Sequence, residues 1–186
     1  MMDLMQIATA AALARQPVTG SGLPGYPQSE LLTRAHLLWL EARGSAEMPA
    51  RRHVPAAALE LLAGQLLVFG VERAPLDFRY LEIGSRMREL SNDDYTGRCL
   101  SEIPHQRPPS LVWDHLTAAM DARAPVRAVL PYVGRSRDVS SIFHIVLPLA
   151  DDGETVDRLL VCIELASGTA PGVRLQDGTH PFTQLG

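Results

Sequence analysis

Six histidines, two cysteines and two pairs of adjacent aspartates are the side chains of this 186-residue chain best suited to chemistry. The histidines, His36, His53, His105, His115, His144 and His180, are scattered along it. A helical metal site needs two of them four residues apart or a carboxylate–histidine cluster, and neither pattern occurs. No metal-ligand set is therefore expected. His144 falls inside an apolar stretch, where a neutral ring with one hydrogen bond is the economical state. Asp93-Asp94 and Asp151-Asp152 could pair for acid–base work, but adjacent residues in turns seldom converge on one substrate. Asp favours such turns, so all four are read as turn formers. Arg51-Arg52, Arg135 and Arg137 are read as surface charge, and Gly20-Ser21-Gly22 lacks the strand-to-helix setting of a phosphate loop. No nucleophile stands in a recognisable pairing with a base. The chain reads as non-enzymatic, with no catalytic residue.

Composition narrows the setting. Seventeen basic and 21 acidic side chains give a net charge of −4, spread along the sequence, and every basic residue is Arg. A nucleic-acid footprint needs clustered positive charge, so no nucleic-acid partner is expected. Cys99 and Cys162 are too few for a disulfide framework, and Cys162 reads as a small buried hydrophobe. The mild apolar run from Leu4 to Leu13 has no basic residues before it and is too short to span a bilayer. A soluble, cytoplasmic protein without membrane attachment is expected.

The elements that would position these residues follow from periodicity and breakers. Pro17 to Pro27 holds three prolines and three glycines in eleven residues, which makes residues 1–28 a flexible arm. Ser29 then suits an N-cap and Glu30 a first turn. At roughly 100° per residue, Leu31, Leu32, Ala35, Leu38, Trp39 and Ala42 share one arc of a helix that Gly44 would stop. Leu37 and Leu40 fall outside that arc, on the otherwise polar side, and become candidates for a dimer interface. Residues 56–63 suggest a short helix ended by Gly64. Gln65–Arg73 and Phe78–Gly84 read as a strand hairpin joined through Ala74 to Asp77, the first strand apolar at consecutive positions. Both of its faces then need cover, one by the domain's own helices and the other by the helix at 29–44. Ser85 suits a short helix start, and Ser110 caps a helix through about Arg123. Val126–Gly134, Val139–Leu149 and Val156–Leu165 follow as strands, with Gly153 available for a positive φ in the last hairpin. Residues 29–166 form the domain and 167–186 a flexible tail rich in Gly, Thr and Pro. Segregated strands and helices argue an α+β domain with an antiparallel sheet.

The order of two strands, a helical crossover and three strands resembles a PAS domain. Leu38-Trp39, Met48-Pro49, Phe78-Arg79-Tyr80, Gly84-Ser85, Thr96-Gly97-Arg98 and the run Pro148 to Asp157 resemble a bacterial family of small stand-alone PAS proteins, over residues 30 to 166. The resemblance implies a five-stranded antiparallel sheet with a helical crossover and an N-terminal flanking helix. It further implies a signal-transduction role, frequent homodimerisation and an unidentified signalling partner. It specifies no cofactor, because such domains bind haem, flavin, small metabolites or nothing. Photosensor members form a flavin adduct at a cysteine in a motif like Gly-Arg-Asn-Cys-Arg-Phe-Leu-Gln. Gly97-Arg98-Cys99-Leu100 lacks one residue before the Cys and the polar flavin contacts. Haem-binding members use a His on the helix before the last three strands, where His115 stands, but no other feature here supports haem.

Two readings of function follow. In the first, sheet and helices enclose an apolar pocket for a small ligand, drawn from Phe69, Phe78, Tyr80, Trp113, Leu116, Met120 and His144. Period-2 parity leaves open which of these face inward, because both strand faces are apolar. In the second, the core is filled and the chain is a ligand-free structural interaction module. A small enzyme on a related scaffold is a third reading, without a catalytic constellation to support it.

Overall fold

The computed structural model describes residues 29–91, 93–131, 139 and 141–166. The expected arm at 1–28, the tail at 167–186, and Arg135 and Arg137 lie outside the described residues.

The first element, α1 (Glu30–Arg43), begins where its cap dictates. Ser29 Oγ accepts from the Leu32 N–H at 2.9 Å, satisfying one of the four donors a helix start leaves unpaired. Gly44, at φ 55°, closes the other end with its N–H on the Leu40 and Glu41 carbonyls. Leu32, Ala35 and Trp39 are buried, as the apolar arc requires. A 3-10 turn (Arg51–His53), α2 (Ala56–Glu60) and a second 3-10 turn (Ala63–Gln65) lead into the sheet. The expected helix over 56–63 is thus shorter, and Gly64 lies inside a tightened turn rather than ending it. Two backbone segments approach closely at this turn. A Cβ on Gly84 would stand 2.2 Å from the Ala63 carbonyl oxygen and 2.6 Å from that of Gly64.

Strands β1 (Leu66–Arg73) and β2 (Leu76–Ile83) form an antiparallel hairpin, its register ending at Arg73 opposite Leu76. The loop is therefore only Ala74-Pro75, shorter than the four-residue link expected. The crossover follows as α3 (Ser85–Leu90), a 3-10 turn (Leu100–Glu102) and α4 (Leu111–Ala122). Ser110 caps α4 by accepting from the Trp113 N–H at 3.2 Å. Strands β3 (Val126–Pro131), β4 (Ser141–Leu149) and β5 (Arg158–Ala166) complete one antiparallel sheet in the order β2-β1-β5-β4-β3. The fold is α+β with a five-stranded antiparallel sheet, as the segregation of elements predicts.

Residues paired across neighbouring strands share a face, so the register sorts the sheet into two sides. Val68, Leu160 and Leu147 lie opposite one another along one face, as do Leu66, Cys162 and Ile145. This face is covered by α1, whose Ala35, Leu38 and Trp39 meet Leu66, Leu147 and Leu160. The Trp39 indole also donates from Nε1 to the Pro148 carbonyl at 2.7 Å. Phe69, Tyr80, Leu159, Ile163, His144 and Ala128 belong to the other face, under the crossover. Consecutive apolar residues in β1 are explained: each side of the strand has its own cover. No helix among the described residues is long and apolar enough to cross a membrane.

Candidate functional site

The crossover face of the sheet gathers most of the aromatic and imidazole side chains of the domain. At the β2 end, Phe69 and Tyr80 pack with ring centroids 4.4 Å apart, and Tyr95 follows at 6.0 Å from Tyr80. His105 continues this row with its ring edge to Tyr95 at 6.1 Å. The Tyr80 hydroxyl donates to Gln106 Oε1 at 2.8 Å, which satisfies a polar group at the buried end of the ring. Burial raises the Tyr80 phenol far above its ordinary value, only partly offset by that hydrogen bond. Next along the face, Phe78 meets the edge of Trp113 from α4 at 5.1 Å.

At the β4 end the same helix brings His115 against His144, with centroids 5.1 Å apart and rings tilted by 46°. Both are 3% exposed. Burial pushes His115 down to about 4, a little relieved by Asp114, and pushes His144 down to about 3 with a further contribution from His115. Both rings are neutral at pH 7, since a charged imidazole in this apolar layer would lose its hydration. His115 Nδ1 is buried and has no hydrogen-bond partner among the described residues. The pair can accept or donate a hydrogen bond, but at neutral pH it carries no charge for acid–base work.

The seven residues the sequence offers as pocket lining take definite places. Phe69, Phe78, Tyr80, Leu116 and His144 are buried, while Trp113 and Met120 on α4 are half-buried and packed against the core. Parity, which leaves the facing open, is decided by register: Phe69, Tyr80 and His144 point to the crossover side. Tyr95, Gln106 and the burial of His115 are additions the sequence does not supply. His115 lies at the margin of the apolar stripe of α4, and its partner is 29 positions away on another element. The two leucines proposed for a dimer interface separate. Leu37 is 59% exposed, whereas Leu40 is half-buried and packs on the core. Val129, on the α1-covered face of the edge strand β3, is also exposed.

The remaining candidates have structural employment. Asp151 Oδ1 accepts from the Arg51 N–H at 3.1 Å and Oδ2 pairs with Arg158 at 2.9 Å. Asp152 accepts from the Glu154 and Thr155 N–H groups, and Gly153 takes φ 82° in the same turn. Asp94 likewise accepts from the Thr96 N–H and hydroxyl. These hydrogen bonds hold Asp94 and Asp152 below the usual carboxylate range, the opposite of what a general acid needs. Cys162 is fully buried on the α1 side, its thiol pushed up to about 12 by desolvation. Such a thiol is inert at neutral pH. Cys99 is buried, its backbone paired with that of Arg79 in an isolated β-bridge, and its thiol is also raised by burial. Between α1 and the sheet lies a cavity of about 10 Å³ lined by Leu38, Trp39, Leu62, Leu66, Leu147 and other apolar side chains. It is too small and too apolar to hold a ligand. Comparison with protein-family models finds none that matches, and comparison with curated proteins likewise finds no match.

Proposed function

We propose that the chain is a non-enzymatic PAS-type sensory or regulatory protein of the bacterial cytoplasm that acts by associating with another protein. The observation that carries this is the arrangement of the two sheet faces. One is roofed by a helical crossover between strands two and three, and the other by a flanking helix that precedes the sheet. The roofed interior supplies recognition chemistry, an aromatic row at the β2 end and two neutral imidazoles at the β4 end, while Asp94, Asp151 and Asp152 are committed to turns. A change in the interior would be felt by β4 and β5, which carry α1 on their opposite side. A ligand would act by favouring one seating of α1 over another, and so one association state. Leu37, exposed on α1, is the contact through which a second copy would add.

The experiment is native mass spectrometry with an absorption spectrum of freshly purified protein, followed by thermal shift across a metabolite panel. A retained molecule, or a shift that His115→Leu abolishes, supports sensing through this interior. A specific observation favours the second reading, a ligand-free interaction module: Phe69 and Phe78 are almost fully buried and pack on neighbouring rings. Repeated absence of any bound molecule and of any shift would establish that module and overturn the sensor. Truncation of residues 1–44, followed by mass in solution, tests the association surface, since an unchanged dimer would remove α1 from it.

A further inference from the structure

On the α1-covered face, Arg127 Nη2 of β3 lies 3.1 Å from Nδ1 of His36. A guanidinium has five N–H donors and no acceptor, so Nδ1 must be the acceptor and the proton of the ring sits on Nε2. The contact therefore exists in one protonation state only. An imidazolium donates from both nitrogens, and it would meet the guanidinium donor to donor with two like charges. We propose that His36 and Arg127 form a pH-sensitive clasp that fastens α1 to the sheet at neutral pH and opens on acidification.

The groups nearest His36 favour the neutral ring, against one carboxylate, Glu164, on the same face of β5. Half-burial, Arg127 and then Arg43 of α1 itself all hold His36 below its ordinary value. From β4 this face presents Phe143, Ile145 and Leu147, which do not titrate. From β5 it presents Cys162, un-ionised at neutral pH, and Glu164. A base depressed in the docked state keeps its contribution above about pH 6.5 and loses it as pH falls through the docked value. The clasp sits where α1 has least other support toward β3. The Trp39 bond and the buried Leu32 and Ala35 hold the helix over β4 and β5, while Val129 on β3 stays exposed. Opening would therefore swing or loosen the helix without unfolding the sheet. If α1 is the output element proposed above, acid becomes a second input to it, independent of any ligand in the crossover interior.

The test is hydrogen exchange of the α1 amides in the full chain at pH 7.5 and 5.5, corrected for the intrinsic pH dependence of exchange. His36→Asn is the comparison, because its side-chain oxygen can accept from Arg127 and does not titrate. Wild-type α1 is expected to open several-fold more at the lower pH, with about tenfold as the ceiling that an opened imidazole of ordinary value sets one unit below 6.5. The variant should change by less than about twofold. Equal pH dependence in both proteins overturns the clasp. A second measurement is independent of folding yield: the ring-proton NMR shift of His36, assigned by its loss in His36→Asn. It should titrate below 6.5 and move back toward 6.5 in Arg127→Gln; titration at or above 6.5 in the wild type overturns the proposal. Solution mass across the same pH range separates the two readings. A clasp that opens with no change in association stands, while α1 as the output element falls.

Discussion

Acidification should unload stability from the His115–His144 pair, separately from any opening at His36. In the folded chain these rings titrate at about 4 and about 3, against 6.5 for a free imidazole. Below 6.5 the unfolded chain takes up protons that the folded chain refuses. Their contribution is thus complete above about pH 6.5 and disappears progressively toward the folded values. At pH 5 each unfolded ring lies about 1.5 units past its midpoint, so at about 1.36 kcal/mol per unit each costs about 2 kcal/mol and the pair about 4. That is a large part of the roughly 5–15 kcal/mol by which domains are stable. The assay is urea unfolding followed by circular dichroism at pH 7.5 and 5, for the wild type and for His144→Phe. The variant keeps a ring in the layer and removes one titrating group. Whatever its own stability, its loss between the two pH values should be smaller by about 2 kcal/mol. A wild-type loss below about 1 kcal/mol, or an equal loss in both proteins, would refute the claim that these rings are held neutral by burial.

Three further outcomes are expected from the same unfolding assay. Gly84→Ala drives a methyl into the Ala63 and Gly64 carbonyls and should cost about 1–3 kcal/mol or more, and an unchanged unfolding midpoint would refute the close approach. Trp39→Phe removes the indole donor and leaves the Pro148 carbonyl buried without it, a loss of about 1–3 kcal/mol that would be absent if water replaced the bond. Ser110→Ala deletes the cap of α4 and should cost about 1 kcal/mol, whereas Ser110→Asp should retain most of the stability.

How far the sequence reaches depends on the range of the interaction. Ser29, Gly44, Ser110 and Gly153 act within one turn, and each does what its residue type predicts. The division of β1 into two covered faces is legible from its unbroken apolar run, because neither side could be left to water. Its assignment is not legible: Val68 and Phe69 are equally apolar, and only the partner strands decide which meets α1. The pairings that build the interior lie beyond local pattern altogether. Tyr80 with Gln106 joins a strand to a proline-rich segment, and His115 with His144 joins a helix margin to a strand 29 positions on. Leu40 shows the limit of a helical wheel. It falls outside the ideal arc, yet it packs on the core.

The strand order has a consequence for how the chain comes to exist. β5, last of the described strands in sequence, is the middle strand of the sheet and the sole neighbour shared by the β1–β2 and β3–β4 hairpins. A nascent chain emerging from the ribosome would therefore hold two half-sheets, each with an open apolar edge at Leu66–Gly70 or Ser141–Leu149, until Arg158–Ala166 arrives. Insertion of that keystone closes both edges at once. Assembly of the sheet is then a late, long-range event, and the stage before it is the one most exposed to aggregation and most in need of a chaperone.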